Sequence, residues 1–479
     1  MQSLVQRALG LTGASVLGLM GLIGCAGSTT ASGAGEVLAS AAPAAADVHA
    51  NAPTWYADVL PIVAENCADC HQPQGKNMGG MVAPFSLLTY EEAEPWAAVM
   101  ALRVAEGAMP PWDAHPTHEG TFVGERYLSE EAKQTIAAWA EAGAPEGDPA
   151  DAPANLASAE EVEQTGEWWI GEPDLVLAFG EPYHVEDEAS DVNIDVNLDV
   201  PESYTEPRWI KSSEMRAGSE HVHHICGEPF GCIAPGWDPY VYPEGFAMLL
   251  PPVDEIALGM HYNKATGAGT AFDDVSRAAM VFYEDGETIR HIVKRSVLAV
   301  GFDFVIPAGH PEYSLSLEFP FEEDTYILSV TPHMHYRGKQ AKYELVYPDG
   351  RTELLLWVPE YDFEWQRMYV FKDPPIAPAG SKLVWTPTWD NSSDNPGNPD
   401  PTVDVPYGEP TVMEMGNGWL DYAAVEPIEH VVGQDPIPQD YLAEVTEQLD
   451  GRANRQRPRR AVLIEPGESR PSSPNNDSN

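Results

Sequence analysis

Residues 332–338 read PHMHYRG and lie between two stretches that have the pattern of β-strands. TYILSV at 325–330 is apolar and β-branched, and KYELVYP at 342–348 alternates between polar and apolar residues. Side chains two residues apart on a strand point the same way, so the pattern predicts that His333 and His335 share one face. Such a pair is either a half-exposed surface feature or the start of a metal site, because imidazole is a favoured ligand for zinc and copper.

Strand-like stretches continue on both sides of this motif. They include VNIDVNLDV at 192–200, HIVKRSVLAV at 291–300 and SKLVWTPTWD at 381–390, and turn residues separate them at short intervals. This spacing is typical of all-β sandwiches and leaves room for two of them. We therefore predict a linker at 151–170 and two β-sandwich domains at 171–297 and 298–435.

Three short motifs concentrate histidine in this β region: EHVHHIC at 220–226, ALGMHYN at 257–263 and the HMH of 333–335. Their histidines are His221, His223, His224, His261, His333 and His335. Neighbours on a regular strand face opposite ways, so His223 and His224 can reach one metal only at a strand end or a bulge. The stretch TVMEMGNGWLDY at 411–422 adds two soft candidate ligands, Met413 and Met415. Clustered histidine and methionine, without a spare cysteine set for zinc, favour copper.

A different motif, CADCH at 67–71, predicts a haem domain at 54–150. In the C-x-x-C-H pattern, Cys67 and Cys70 bond the porphyrin edge and His71 ligates the iron. A redox dithiol or half of a zinc site also uses C-x-x-C. The first does not need the following histidine, and the second needs another cysteine pair nearby.

The flanks of this motif fit a small all-α domain. Helical spacing of apolar residues leads into Cys67, Thr89 with Glu92 forms a capping box, and a later helix begins after Ser129 and stops near Gly143. The loop MPPW at 109–112 offers Met109 as the sixth iron ligand, because a thioether stabilises ferrous haem. Met78 and Met81 compete for that role, and Met109 as ordinary core filler is the remaining alternative.

The first 25 residues have the pattern of an export signal. One positive charge, Arg7, precedes an apolar run that ends in LIGC. This resembles the bacterial lipoprotein signal, in which Cys25 would carry the lipid; a transmembrane helix is the alternative. We expect an exported, membrane-anchored lipoprotein on the periplasmic, outer-membrane or cell-surface side, with a flexible tether at 26–53 and a disordered tail at 436–479.

The charge of the chain argues against two classes of partner. There are 75 acidic residues and 26 Lys plus Arg, for a net charge of −49, which repels nucleic acid and anionic lipid heads.

Export also places the cysteines in an oxidising compartment. Cys226 and Cys232 are the pair left over, so we expect a short-loop disulfide between them.

The order of these motifs resembles the copper type II, ascorbate-dependent monooxygenases, the family of peptidylglycine α-hydroxylating and dopamine β-monooxygenases. The shared pattern is HH at 223–224, HY at 261–262, HMH at 333–335 and EM at 414–415. Bacterial members fused to a c-type haem domain are also similar, through MPPW, AGAPEGDP, PDLVL, PHMHYRGK, YPDGR and DNPGNPDPT. The resemblance spans roughly Thr54 to Tyr422, and it implies that both sandwiches are jelly rolls.

The resemblance implies two copper ions and one covalent haem c. His223, His224 and His261 would hold an electron-relay copper, and His333, His335 and Met415 would hold the copper that activates oxygen. His221 is outside the pattern and is expected to be a surface or supporting residue. In the peptide-hydroxylating enzyme, an arginine and a tyrosine clamp the carboxylate of the peptide substrate. Thr331 and Trp419 stand at these positions here, which puts a peptide carboxylate substrate in doubt. Arg337 lies after the histidines, and we do not assume that it replaces the clamp.

The resulting hypothesis is a monooxygenase that inserts one oxygen atom of dioxygen into a C–H bond of an unknown organic substrate. Two electrons come from an ascorbate-like reductant or a redox protein, and the haem offers them a route to the relay copper. A non-catalytic electron-transfer or copper-binding lipoprotein is the main alternative, and a carbohydrate- or partner-binding sandwich with incidental histidines is another. The Asp/Asn-rich loop at 389–402 is either a turn-rich loop or a calcium site.

Overall fold

The computed structural model describes residues 52–68, 70–72, 83, 85–153, 168–219, 221–233, 239–450 and 462–463. The fold is mostly β-sheet with few helices. All the described residues belong to one compact unit, Asn51–Asn479. Within those residues, no helix has the length and apolar character needed to cross a membrane. Cys25, most of the predicted tether, Met78 and Met81 lie outside the described residues.

The described residues before 154 form helices and loops. The helices are α1 (Leu60–Asn66), which continues from a π-helical turn at Trp55–Val59, α2 (Tyr90–Ala93), α3 (Ala97–Ala105) and α4 (Glu130–Glu141), with 3₁₀ turns at Glu94–Trp96, Pro116–His118 and Pro149–Asp151. They enclose a small core of their own, which includes Trp55, Val63 and Trp139. The helices therefore pack around an apolar centre separate from those of the sheets.

The helix signals of the sequence are confirmed. Thr89 and Glu92 form the reciprocal capping box at the start of α2. The Ser129 side chain accepts a hydrogen bond from the Ala132 N–H at the start of α4. Gly143 follows the end of α4 with φ of +84°, a backbone conformation that glycine adopts without strain.

The β region begins with two sheets that share one core. The strands of this region are β1 (Leu175–Ala178), β2 (Tyr183–Val185), β3 (Asp191–Asp199), β4 (Arg208–Arg216), β5 (Val222–Gly227), β6 (Gly231–Ile233), β7 (Tyr240–Val241), β8 (Phe246–Leu250), β9 (Glu255–Asn263), β10 (Phe272–Asp274), β11 (Arg277–Phe282), β12 (Thr288–Ile289) and β13 (His291–Ile292). The strand order is β1-β11-β4-β8-β13 in one sheet, with β7 paired to β4, and β3-β9-β5-β6 in the other. Met280 of β11 and Met260 of β9 are both buried in the core between the two sheets.

A second pair of sheets follows. The strands of this region are β14 (Lys294–Ala299), β15 (Val305–Ile306), β16 (Tyr313–Pro320), β17 (Thr325–Met334), β18 (Gly338–Val346), β19 (Thr352–Val358), β20 (Tyr369–Val370), β21 (Ile376–Ala377), β22 (Lys382–Trp389), β23 (Val405–Pro406), β24 (Gly416–Ala424), β25 (His430–Val431) and β26 (Val462–Leu463). The strand order is β14-β24-β17-β20 in one sheet, with β21 paired to β17, and β19-β18-β22-β16-β26 in the other. Val330 and Met334 of β17 are buried in the core between these sheets, as are Tyr343 of β18 and Trp385 of β22.

The structure differs from the sequence prediction at two boundaries. The second pair of sheets begins at Lys294 rather than 298, because β14 pairs with β24 along its whole length. The predicted disordered tail contains a helix, α5 (Gln439–Asp450). Tyr441 and Val445, one helical turn apart, are buried against the first pair of sheets, and this apolar stripe stabilises α5.

Candidate metal centre

A bulge brings three histidines together on neighbouring strands. β5 carries His223 and His224, and β9 carries His261 directly opposite His224. The register of the pair shifts between Val222 and His224. A bulge sets two successive residues opposite one, so their side chains need not alternate. The bulge that the sequence requires for a shared site is therefore present.

The Nδ1 atoms of these histidines lie close together. His223 Nδ1 is 3.2 Å from His224 Nδ1, and His261 Nδ1 is 3.4 Å from the same atom. Ring nitrogens at this distance share either a proton or a metal ion. A metal held at about 2.0–2.1 Å by nitrogen ligands in tetrahedral geometry separates them by about 3.3–3.4 Å. The three side chains thus have the spacing of ligands to one ion.

Asp191 of β3 orients His261. The His261 Nε2–H donates to Asp191 Oδ1 at 2.6 Å, which leaves Nδ1 as the unprotonated ligand atom. The other oxygen of Asp191 accepts a hydrogen bond from Thr411 Oγ1 at 2.5 Å. Burial opposes the charge of Asp191, but the hydrogen bonds from His261 and Thr411, together with the electrostatic effect of His261, outweigh burial and keep the pKa of Asp191 below its ordinary value.

The 3₁₀ segment Phe363–Trp365 contacts His223 from the second pair of sheets. The Phe363 ring stacks on the His223 ring, with centroids 4.3 Å apart and planes 15° apart. Glu364 Oε2 lies 3.6 Å from His223 Nε2, which is ion-pair distance rather than a hydrogen bond. This segment fixes one ligand of the first group from across the boundary between the sheet pairs.

His333 and His335, at the end of β17, form a second group. The His333 Nδ1–H donates to Gln366 Oε1, and Gln366 Nε2 donates to the Phe363 carbonyl at 3.1 Å, which identifies Oε1 as the acceptor. The His335 Nδ1–H donates to the Met413 carbonyl at 3.2 Å. Both rings therefore present Nε2 as the unprotonated atom.

The structure separates the two candidate thioether ligands. Asn417 of β24 lies directly opposite His333 of β17, and residues opposite each other in an antiparallel pair project from the same face. Asn417 Nδ2 is 3.9 Å from Met415 Sδ, so Met415 lies on the face that carries His333. Met413 instead sits in a turn, partly exposed, with its side chain against Gly408.

Glu414 connects the methionine segment to the end of β17. It is fully buried, and its carboxyl group accepts hydrogen bonds from the backbone N–H groups of His335 at 2.9 Å and Arg337 at 2.7 Å. Burial raises the pKa of Glu414 to about 8. The Arg337 side chain is also buried, and it donates to Asn391 and to the Val412 carbonyl. Arg337 is thus part of this packing and does not face a substrate.

Burial keeps four of the histidines neutral. It lowers the pKa of His224 and His335 well below the ordinary value and that of His333 to about 4, and neighbouring histidines add to the effect. Burial also lowers the pKa of His261, although Asp191 opposes this. At pH 7 these four rings are in the unprotonated form that binds a metal.

The two groups touch each other. The ring centroids of His224 and His333 are 5.6 Å apart, in an edge-to-face contact. The Phe363 ring reaches both groups, since its centroid also lies 6.1 Å from that of His335. Thr331 and Trp419 lie directly opposite each other, two positions along the strands from the pair of His333 and Asn417. Thr331 and Trp419 carry no charge.

In the CADCH motif, a backbone carbonyl orients the His71 ring, and both cysteines keep their thiols. The His71 Nδ1–H donates to the Phe85 carbonyl at 3.1 Å, which leaves Nε2 for a metal. Neither Cys67 nor Cys70 is in a disulfide. Burial raises the pKa of Cys67 to about 12, whereas a redox-active dithiol needs a lowered thiol pKa.

An apolar surface lies next to His71. Phe85 contacts the His71 ring and stacks on Trp96 with centroids 4.0 Å apart. Trp96, Val99 and Leu102 follow one another at helical spacing and are 37%, 42% and 53% exposed. A stripe of this kind suits the wall of a site for a flat apolar group. Met109 lies half-buried in the turn after α3, where its N–H donates to the Arg103 carbonyl.

The remaining sequence candidates make other contacts. Cys226 is disulfide-bonded, and the residue opposite it in the β5–β6 pair is Cys232. The His221 ring packs on Phe272. In the loop at 389–402, the amide groups of Asn391 and Asn395 donate to backbone carbonyls, as expected of a turn-rich loop.

Several supporting residues had no signal of their own in the sequence. They are Asp191, Phe363, Glu364 and Gln366, and each contacts a histidine more than 30 positions away. Glu414 stands inside the EM motif, but its role in holding the end of β17 follows only from the fold.

If the His333 group holds a metal ion, replacing Gln366 with leucine is expected to weaken binding of that ion by about 10- to 100-fold. Leucine has a similar size but accepts no hydrogen bond, so it no longer selects the His333 tautomer that exposes Nε2. Titration of copper against a competing chelator measures the change. Gln340→Leu, which removes a glutamine bonded to Trp357, is the matched control. Equal affinities in the two variants would contradict this role of Gln366.

Comparison with known proteins does not assign the chain to a family. No family model and no curated protein matches it. Among solved structures it is similar to that of the infectious bursal disease virus Gx strain, at 10% identity over 57% of this chain and 82% of that one, with a TM-score of 0.17. It is also similar to the VP2 subviral particle of infectious bursal disease virus, at 9% identity over 53% and 72% of the two chains, again with a TM-score of 0.17. Such low scores carry no argument about fold or function.

Proposed function

We propose that the protein is a copper-dependent monooxygenase that hydroxylates a C–H bond with dioxygen and external electrons. The observation that carries this proposal is the convergence of the His223, His224 and His261 Nδ1 atoms at 3.2 and 3.4 Å, in contact with a second histidine group. Hydrogen bonds to Asp191, Gln366 and the Met413 carbonyl fix the tautomers of His261, His333 and His335, so these rings already present an unprotonated nitrogen to a metal.

The donor sets fit copper. Three imidazoles accept either copper valence, and zinc would also suit them. The second group distinguishes the metals, because a thioether such as Met415 is a soft ligand that favours Cu(I). Its position on the His333 face supports its inclusion.

The proposed roles of the residues follow from these contacts. His223, His224 and His261 hold the relay copper, and His333, His335 and Met415 hold the copper that activates oxygen. When bound, copper supplies the one-electron chemistry that dioxygen activation requires. Asp191 and Gln366 select the tautomers of their histidines, while Phe363 and the buried surroundings exclude water from the rings.

We also propose that the helical part, 54–150, is a cytochrome c domain and that the two pairs of sheets are jelly-roll sandwiches. Cys67 and Cys70 would attach the haem, with His71 and Met109 as axial ligands. The orientation of His71 by the Phe85 carbonyl and the exposed stripe of Trp96, Val99 and Leu102 support this. When bound, the haem supplies a one-electron carrier.

The proposed location is the exported face of a bacterial membrane, with Cys25 as the lipid anchor. The disulfide at Cys226 fits an oxidising compartment. The substrate is an organic molecule of unassigned identity, dioxygen is the second substrate, and an ascorbate-like reductant or a redox protein donates electrons.

Metal analysis of the purified protein, combined with oxygen uptake under ascorbate, tests this function. We expect about two copper ions per chain and copper-dependent oxygen uptake that increases when a hydroxylatable substrate is present. A chain that binds no copper under these conditions is not a copper monooxygenase.

One observation favours a second candidate, a non-catalytic electron-transfer or copper-binding lipoprotein. His333 and His335 are only 9% and 2% exposed, so the second group is closed to a substrate in this conformation. This candidate predicts the same copper content with reversible oxidation and reduction, but no oxygen uptake with any substrate.

Met415 provides a sharper test of the oxygen-activating site. Met415→His is expected to keep copper bound but to favour Cu(II), and to lower hydroxylation by more than about tenfold, a barrier change of about 1.4 kcal/mol. X-ray absorption of the reduced protein should lose its copper–sulfur shell in Met415→His. Met413→His is the control and should keep that shell. The reverse outcome would move the ligand to Met413.

A further inference from the structure

The loop after Met109 is built into the second pair of sheets. The His115 N–H donates to the Trp357 carbonyl at 2.8 Å, and the Val123 N–H donates to the Val370 carbonyl at 2.8 Å. Phe122 is fully buried in the core of these sheets. The loop that follows the haem-motif helices therefore packs on the second pair of sheets, next to β20, and β20 pairs with β17.

Arg367 joins this loop to the histidine groups. It is 4% exposed, its Nη2 donates to the Pro111 carbonyl at 2.8 Å, and its guanidinium lies 5.4 Å from the centre of the Trp112 ring. The next residue back along the chain is Gln366, which accepts the hydrogen bond from His333.

We propose that electrons from the haem domain enter the copper centre at the His333 group, along Pro111, Arg367 and Gln366. This rests on the proposed function and revises the route predicted from the sequence, which led to the relay group. The path runs from Met109 through two peptide bonds to Pro111, across the hydrogen bond to Arg367 and along the Arg367 side chain. It continues through one peptide bond to Gln366, along the Gln366 side chain and across the hydrogen bond to His333.

The alternative route to the first group is longer. From Arg367 it continues along the chain to Glu364, three residues further, and then crosses 3.6 Å to His223 without a hydrogen bond. Through the contacts of the described residues named here, the stacked ring of Phe363 is reached by the same extension or through Gln366. Continuous bonds and hydrogen bonds carry an electron more effectively than a gap, so the shorter route ends at His333.

The step is a one-electron transfer: ferrous haem is oxidised to the ferric form, and Cu(II) at the His333 group is reduced to Cu(I). No bond is formed or broken, and no proton is released. From there, the ring contact between His224 and His333 connects the two groups in either direction.

The test uses the full-length holoprotein, with the haem reduced rapidly by pulse radiolysis while copper is still oxidised. Decay of the ferrous α-band reports electron transfer without any turnover. We expect the decay in His261→Ala to stay within about threefold of wild type, and the decay in His333→Ala to slow by at least a hundredfold. The opposite pattern overturns the proposal.

Two further variants test the route itself. Arg367→Met should slow the decay at least tenfold, and Arg367→Lys, which can still donate to Pro111, should restore part of it. Arg103→Met removes a surface arginine of the helical part and is the control. Haem potential and copper content are measured for each variant. An unchanged decay in a folded Arg367→Met overturns the route.

The experiment separates this inference from the proposed function. Absence of covalent haem or copper from the wild-type protein overturns both. If both cofactors are present and the decay depends on His261 rather than His333, only the entry point proposed here is wrong.

Discussion

Replacing His261 with alanine is expected to lower the copper content by about one equivalent per chain and to abolish hydroxylation. His261 supplies one of the three converging Nδ1 atoms and is the ligand that Asp191 orients. His223 and His224 alone leave a two-ligand site that binds copper weakly. Elemental analysis after dialysis, with product formation under ascorbate, measures both effects.

The control for this prediction is His221→Ala. His221 lies on the same stretch of chain, but its ring packs on Phe272 outside the cluster. It should keep full copper content and activity. A His261→Ala protein that retains about two copper ions would contradict the assignment of the first group.

Replacing Cys67 with alanine is expected to abolish normal covalent attachment of haem. One thioether bond is lost, and attachment depends on both cysteines of the C-x-x-C-H motif. Electron entry from the helical part then stops, while copper binding at the histidine groups continues. Haem staining after denaturing electrophoresis, together with copper analysis, measures the two outcomes.

Met109→Leu is the matched control for the haem prediction. It removes the proposed sixth ligand without touching the attachment motif, so haem stays covalent while the reduced spectrum changes and the potential falls. Unchanged haem staining of Cys67→Ala would contradict the haem assignment. An unchanged spectrum in Met109→Leu would contradict only the axial ligand.

Helix caps and the faces of strand residues were predictable, because interactions between residues close in sequence determine them. The capping box of Thr89 and Glu92 and the start of α4 at Ser129 depend on residues three positions apart. The shared face of His333 and His335 follows from strand alternation. The bulge at His223 follows from the same rule, since adjacent histidines can meet one ion only where alternation is broken.

The predicted tail shows where such reasoning fails. Polar and arginine-rich residues dominate the sequence after 436, so low hydrophobicity suggested disorder. In α5, however, Tyr441 and Val445 fall on one stripe, and a stripe stabilises a helix only when another surface receives it. That surface comes from strands about 150 to 230 positions earlier, which a local pattern does not reveal.

The sequence alone determined which side chains can bind metal, the order of the motifs and the β-rich character of the chain, because residue type and short-range periodicity set these properties. The tertiary structure decided the rest. It placed Asp191 on His261, Gln366 on His333 and Arg367 on Pro111, pairs separated by 70, 33 and 256 positions. It also separated Met415 from Met413. These choices depend on strand register and on packing between sheets, which bring distant residues together at positions that no local pattern encodes.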